Sequence, residues 1–235
     1  MKTLQIQKDF RACGSKKIAA HSQRFFKTGK GEYGAGDLFL GIRVPIIRKT
    51  AKSHNQLSIK DTKALIKSRY HEERLLGLII LVNKYAICKS VADREKLYQV
   101  YVASFQYINN WDLVDVTCPH IVGRHLMERD RSILYAWAAS DDLWTRRIAM
   151  IANWWFIRNG DLSNVFEIAH ILLKDEHDLI HKAVGWMLRE AWKKDAHEME
   201  KFLKTHYRNM PRTMLRYAIE KMPESRRQNY LKGKI

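Results

Sequence analysis

The stretch Ser140-Asp-Asp-Leu-Trp-Thr-Arg-Arg-Ile-Ala-Met-Ile-Ala-Asn-Trp-Trp-Phe156 decides the fold. It opens on small polar and acidic residues, which suit a helix N-terminus because they accept hydrogen bonds from its free N–H groups. It continues into Ile148–Phe156, where apolar residues return at spacings of three and four, the period of an amphipathic helix. The same period extends outward through Leu65-Ile66, Leu75–Val82, Val100–Phe105, Phe166–Leu173 and Val184–Leu188. Start signals agree: Ser58-Ile-Lys-Asp61 resembles a capping box with Asp in place of Glu, and Pro45 and Pro211 suit first-turn positions. Breaks are expected at Gly29–Gly36, His54-Asn55, Asn109-Asn110, Asn159-Gly160 and Asn209-Met210. The chain reads as all-α.

Asp112-Leu-Val, Asp142-Leu-Trp and Asp178-Leu-Ile each open a helix with the same pattern, offset by 30 and then 36 residues. A helical segment precedes each, so the unit reads as a helix pair. Stacked pairs give a superhelical solenoid of antiparallel helices of the HEAT or armadillo type, whose repeats usually run longer, about 40–47 residues. Equivalent positions in successive repeats would then share one groove. No linker or low-complexity tract divides the chain, which reads as one domain over 1–235 with a loose basic tail at 226–235.

Composition narrows the class. In 235 residues there are only 4 Pro and 11 Gly, too few for the turns of a many-stranded sandwich or barrel. A hydrophobic fraction of 46% excludes a disordered chain. The formal charge of +17 favours a polyanionic partner, nucleic acid ahead of an anionic membrane surface. The longest apolar run, Leu76–Val82, stops at Asn83, far short of the roughly 20 residues a membrane helix needs. Met1–Lys17 carries scattered charge and no apolar core of a secretory signal, so a cytoplasmic protein is expected. Cys13, Cys88 and Cys118 are odd in number and far apart, and read as free thiols.

Several motifs fail on context. Gly29-Lys-Gly31-Glu-Tyr-Gly34 matches the dinucleotide fingerprint literally, but that motif needs a strand before it and a helix after it, and Arg24–Thr28 reads as a helix end. His177 and His181 share a helical face yet lack a third metal ligand. Cys118 and His120 are sequence neighbours, which seldom face each other on a helix. No metal and no small-molecule cofactor is expected.

Asn109-Asn-Trp-Asp-Leu-Val-Asp115 is more informative, because Trp111 and Asp115 lie four apart on one face. Taken alone, the segment reads more plainly as a core tryptophan and an ion-pair aspartate. Trp144 stands three before Arg147, and Trp186 three before Arg189, in helices expected to be repeat-equivalent. In a solenoid, Trp111, Asp115, Arg147, Trp186 and Arg189 could share one concave wall. Guanidinium groups there suit phosphates, indoles suit a cationic or planar group, and a carboxylate suits developing positive charge.

Four stretches, in order, resemble the AlkD family of DNA alkylation-repair glycosylases built from HEAT-like repeats. They are Phe39-Leu-Gly-Ile-Arg-Val-Pro45, Asn110-Trp-Asp-Leu-Val-Asp115, Ser140-Asp-Asp-Leu-Trp-Thr-Arg-Arg147 and His181-Lys-Ala-Val-Gly-Trp-Met-Leu-Arg-Glu190. The likeness spans roughly residues 15–225. It implies that Asp115 is the catalytic carboxylate, that Trp111 and Trp186 are the paired tryptophans, and that Arg147 is the active-site arginine. It also implies that Arg48, Lys182 and Arg189 lie near DNA, and that Phe25 or Phe26 stands in for an N-terminal aromatic, without a tyrosine hydroxyl. The Gly29–Gly36 loop departs from the family's best-known pattern.

The reaction so implied is hydrolysis of the N-glycosidic bond of N3- or N7-alkylated purines in double-stranded DNA. The family works in an open groove, without flipping the base into a pocket. Residue chemistry is compatible: an alkylated purine is already cationic and leaves readily, so a lone carboxylate suffices. A monomer is the simplest expectation. The alternative is a non-catalytic helical-repeat protein that binds damaged or branched DNA, which the same charge and arginines would serve.

Overall fold

In the computed structural model, residues 2–235 are described, with side chains from residue 4 onward. The elements are helices joined mostly by short turns, with one long non-helical segment, residues 26–43, before α3: α1 (Lys2–Ala12), α2 (Lys16–Ser22), α3 (Val44–Ser53), α4 (Ile59–Ile66), α5 (His71–Ile87), α6 (Val91–Val102), α7 (Trp111–Asp115), α8 (Arg124–Leu126), α9 (Ser132–Ala138), α10 (Leu143–Arg158), α11 (Val165–Ile171), α12 (Asp178–Lys194), α13 (Ala196–His206), α14 (Arg212–Ala218) and α15 (Glu224–Leu231). The only β-like feature among the described residues is an isolated bridge between Leu38 and Tyr70. Among the described residues no helix is long and apolar enough to cross a membrane. Contacts divide the chain into two compact units, Met1–Ile121 and Val122–Ile235.

In the first unit α5 is the central helix, packed against α3, α4 and α6. Its middle is apolar on every side, and Leu75, Leu76, Leu78, Ile80 and Leu81 are all buried. A helix apolar all round must be enclosed by neighbours. Ser58 starts α4 as expected: its Oγ accepts from the Asp61 N–H at 3.1 Å and donates to Asp61 Oδ2 at 2.6 Å. Pro45 sits in the first turn of α3.

The segment ahead of α3 is fastened to the start of α5. Glu72, 4% exposed, accepts three backbone N–H groups: Leu40 at 2.9 Å, Gly41 at 2.8 Å and Ile42 at 3.3 Å. Gly41 has φ +73°, and a Cβ there would lie 2.1 Å from the Ser15 carbonyl oxygen, so only glycine fits. Glu73 takes Arg11 Nε at 2.6 Å, Gln7 Nε2 at 2.9 Å and Ser68 Oγ at 2.6 Å, which ties α1 to α5.

In the second unit α10 packs on α9, α11 and α12, and α12 packs on α13 and α14. Gly185 permits the close approach of α12 and α14, since a Cβ would meet Tyr217 Cβ at 2.4 Å. Pro211 falls one residue outside α14 and caps it instead of entering its first turn, with extended backbone at ψ 140°. In the basic tail, residues up to Leu231 complete α15, Tyr230 is buried, and Tyr207 Oη donates to the Ile235 carbonyl at 2.9 Å.

The helix starts shift the register of the repeat. The caps are Asn110, Asp142 and His177, so Asn110 to Asp142 is 32 residues and Asp142 to His177 is 35. The three Asp-Leu patterns therefore occupy three different cap positions. Trp144 is two residues past its cap and Trp186 nine past its own, about two turns further along, so the two Trp–Arg pairs are not equivalent. Trp144 is 7% exposed and belongs to the core. The residues that do share a position, five past each cap, are Asp115, Arg147 and Lys182.

Candidate functional site

In Asn109–Asp115 three polar side chains have distinct tasks. Asn109 donates to Asp37 Oδ1 at 2.9 Å and accepts from Arg74 Nη2 at 2.9 Å. Asn110, fully buried, caps α7 by accepting from the Trp111 N–H at 2.8 Å. Asp112 Oδ2 lies 2.8 Å from His71 Nε2. Leu113 and Val114 are buried, while Trp111 and Asp115 at the two ends of the helix are half-buried. Four-residue spacing places that indole and carboxylate on the same side of α7.

Aromatic rings extend the site. Phe26 stacks on Trp111 with centroids 5.5 Å apart and planes 26° from parallel. Phe26 also stacks on Phe39 at 5.1 Å and meets the His71 ring at 5.0 Å. Of the two phenylalanines singled out by sequence, Phe26 is the one beside Trp111. Phe25 is 64% exposed and touches the ring of His21. Arg48 lies exposed on α3.

Behind α7 lies a charge cluster that sequence reasoning missed: Asp37, His71, Arg74 and Asp112. Arg74 Nη2 donates to Asp37 Oδ2 at 2.7 Å, and both side chains are at most 7% exposed. Burial alone would lower the His71 pKa, but the charge and hydrogen bond of Asp112 outweigh it and raise the value to about 9. Burial likewise opposes ionisation of Asp37, yet His71, Arg74 and Asn109 hold its pKa below the usual value. The signal was present in His71-Glu-Glu-Arg74, polar residues directly before Leu75–Val82. Four consecutive residues cover a whole turn, so some of them must face the interior.

The other expected site residues lie in the second unit. Arg147 is 4% exposed, and its Nη1 donates to the Leu179 carbonyl. Lys182, Trp186 and Arg189 follow one another along α12 at spacings of four and three, so they form one stripe. Lys182 Nζ lies 2.7 Å from Asp178 Oδ2, and this bond raises the lysine pKa against partial burial. Arg189 pairs with Glu220.

The dismissed motifs are accounted for locally. A 3-10 turn, Gln23–Phe25, precedes the glycine loop instead of a strand, and Gly29 and Gly34 donate to Glu32 and to the Lys27 carbonyl. His177 caps α12 through Nδ1, and His181 Nε2 bonds the Asp175 carbonyl. Among the described residues no group of three or more His, Cys, Asp or Glu is placed to hold a metal ion. Cys118 is buried, Cys88 half-buried and Cys13 exposed, all as thiols.

A family described as DNA alkylation repair enzyme matches residues 6–222. No curated protein matches the sequence. Among solved structures, a predicted DNA alkylation repair enzyme from Enterococcus faecalis is similar with a TM-score of 0.70. At 15% identity the match covers 90% of this chain and 97% of that one. The likeness shows a shared fold, an all-α arrangement of helix pairs.

Proposed function

The chain belongs to the DNA alkylation repair enzyme family, and from that membership we propose that it is a DNA glycosylase releasing N3- and N7-alkylated purines from double-stranded DNA. The observation that carries the reading is α7, which presents Trp111 and Asp115 on one side, with Phe26 stacked on the indole.

Alkylation makes the purine cationic, so the bond between C1′ and the base nitrogen breaks with its electron pair leaving on a neutral base. The sugar is left oxocarbenium-like. A carboxylate at Asp115 stabilises that charge and orients a water, whose oxygen bonds to C1′ as its proton passes to solvent or to the carboxylate. Trp111, Trp186 and Phe26 offer electron-rich faces to the cationic base and sugar, worth about 1 kcal/mol each at exposed sites. Arg147, whose Nη1 donates to the Leu179 carbonyl, is the arginine we assign to a backbone phosphate. Arg48, Lys182 and Arg189 hold the backbone, and the excess of +17 draws DNA in. No acid of raised pKa is needed, and neither is a pocket for an extruded base. We read the protein as a cytoplasmic monomer.

The test is release of 7-methylguanine from methylated duplex DNA by the wild type and by Asp115→Asn. Release that depends on Asp115 is expected. Intact binding with no release by either protein would favour a non-catalytic DNA-binding member.

A further inference from the structure

The charge cluster behind α7 plays no part in the chemistry above, yet it touches the helix that carries it. α7 is only five residues long, and so short a helix holds its orientation through outside contacts and not through its own hydrogen bonds. His71 supplies two such contacts. Its Nε2 reaches Asp112 Oδ2 at 2.8 Å, and its ring meets Phe26, which in turn stacks on Trp111. Phe39 covers the ring at 5.0 Å, with planes 25° from parallel.

We propose that His71 is a positioning residue for the glycosylase site: it fixes α7 through Asp112 and holds Phe26 against Trp111. The proposal rests on the glycosylase reading for its effect on rate, but not for its effect on Trp111.

The charges facing His71 are Asp112 from α7, Asp37 from the segment before α3 and Arg74 from its own helix. Nδ1 stands 3.9 Å from Asp37 Oδ2, beyond hydrogen-bond distance, and has no hydrogen-bond partner among the described residues. With the imidazole protonated, two carboxylates face two cations and the cluster is neutral. Removing the proton leaves one uncompensated negative charge in a site where His71 is 2% exposed, which is unfavourable at low dielectric. The raised pKa of about 9 agrees with that balance. A cationic ring packed against Phe26 and Phe39, each 5.0 Å away, is also favoured by their electron-rich faces.

Two readouts test this. The first is single-turnover release of 7-methylguanine as a function of pH. Wild type is expected to lose rate as pH rises through about 9. His71→Gln, shown to fold by a cooperative melt, is expected to be about ten- to a hundredfold slower with DNA affinity little changed, and to lack that alkaline limb. A wild-type rate and limb in His71→Gln would overturn the proposal.

The second readout needs no activity. The Trp111 indole N–H resonance, assigned through Trp111→Phe, is expected to shift with an apparent pKa of about 9. That shift should vanish in His71→Gln and move to lower pH in Asp112→Asn, which removes the charge that raises the His71 pKa. A Trp111 signal blind to this titration would overturn the positioning role. Failure of wild type to release base would overturn only the glycosylase reading, with the resonance still deciding for His71. If His71→Gln does not fold, Asp112→Asn decides both readouts.

Discussion

His71 Nε2 lies 2.8 Å from Asp112 Oδ2, joining the first residue of a long buried helix to the second residue of a short one that carries Trp111 and Asp115. The bond crosses 41 residues of sequence, so it is a tertiary tie and not a local cap. It gives the five-residue helix a rigid reference, because α5 is enclosed by α3, α4 and α6. In the glycosylase we propose, a helix with no part in the reaction would supply the precision needed at the reacting centre.

Stability should follow this bond. The folded-state pKa of His71 is raised to about 9 from 6.5, so its contribution is fully present below about pH 6.5 and is lost as pH rises through about 9. The shift corresponds to about 3 kcal/mol. Urea denaturation at about pH 6 and about pH 10 should show wild type losing an amount of this order, with His71→Gln much flatter across the same range. Equal losses in both proteins would count against the ion pair.

Glu72→Gln should weaken the first unit. The carboxylate accepts three N–H groups from Leu40, Gly41 and Ile42 in a buried site, and an amide nitrogen would face one of those donors. Charge-assisted bonds and a stranded buried donor together suggest a loss of roughly 2–4 kcal/mol. Denaturant unfolding of the variant measures it, and a loss below about 0.5 kcal/mol would contradict the anchoring role.

Much of this was legible in the sequence because it depends on local rules. Period 3.6 gave the helices, Ser58 and Asp142 gave caps where expected, and Asn109-Asn110 marked the entry to α7. What was not legible depends on long-range pairing. Nothing near His71 in sequence says that Asp112 and Asp37 will face it, and the ring stack of Phe26, Phe39, His71 and Trp111 assembles from four separate segments. The repeat register failed for a related reason. The Asp-Leu pattern marks where each helix opens but not which residue caps it, and the side chains that accept from the first N–H groups are Asn110, Asp142 and His177.

Binding to unmodified duplex DNA should be steeply salt-dependent. Each phosphate contact removed lowers the slope of log K against log salt by about 1. Arg48→Ala, at an exposed position, and Lys182→Ala, which pairs with a half-exposed Asp178, are each expected to lower the slope by about that much. Unchanged slopes would place the DNA elsewhere on the molecule.

In the reaction we propose, the carboxylate of Asp115 at the end of α7 performs the chemistry. The most direct measurement is the single-turnover rate of 7-methylguanine release from methylated duplex DNA by wild type and Asp115→Asn, with DNA affinity measured alongside. Asp115→Asn is expected to bind DNA about as well as wild type and to release base at least roughly a hundredfold more slowly, the scale of losing one preorganised charge-stabilising group. Equal release rates in the two proteins would contradict it.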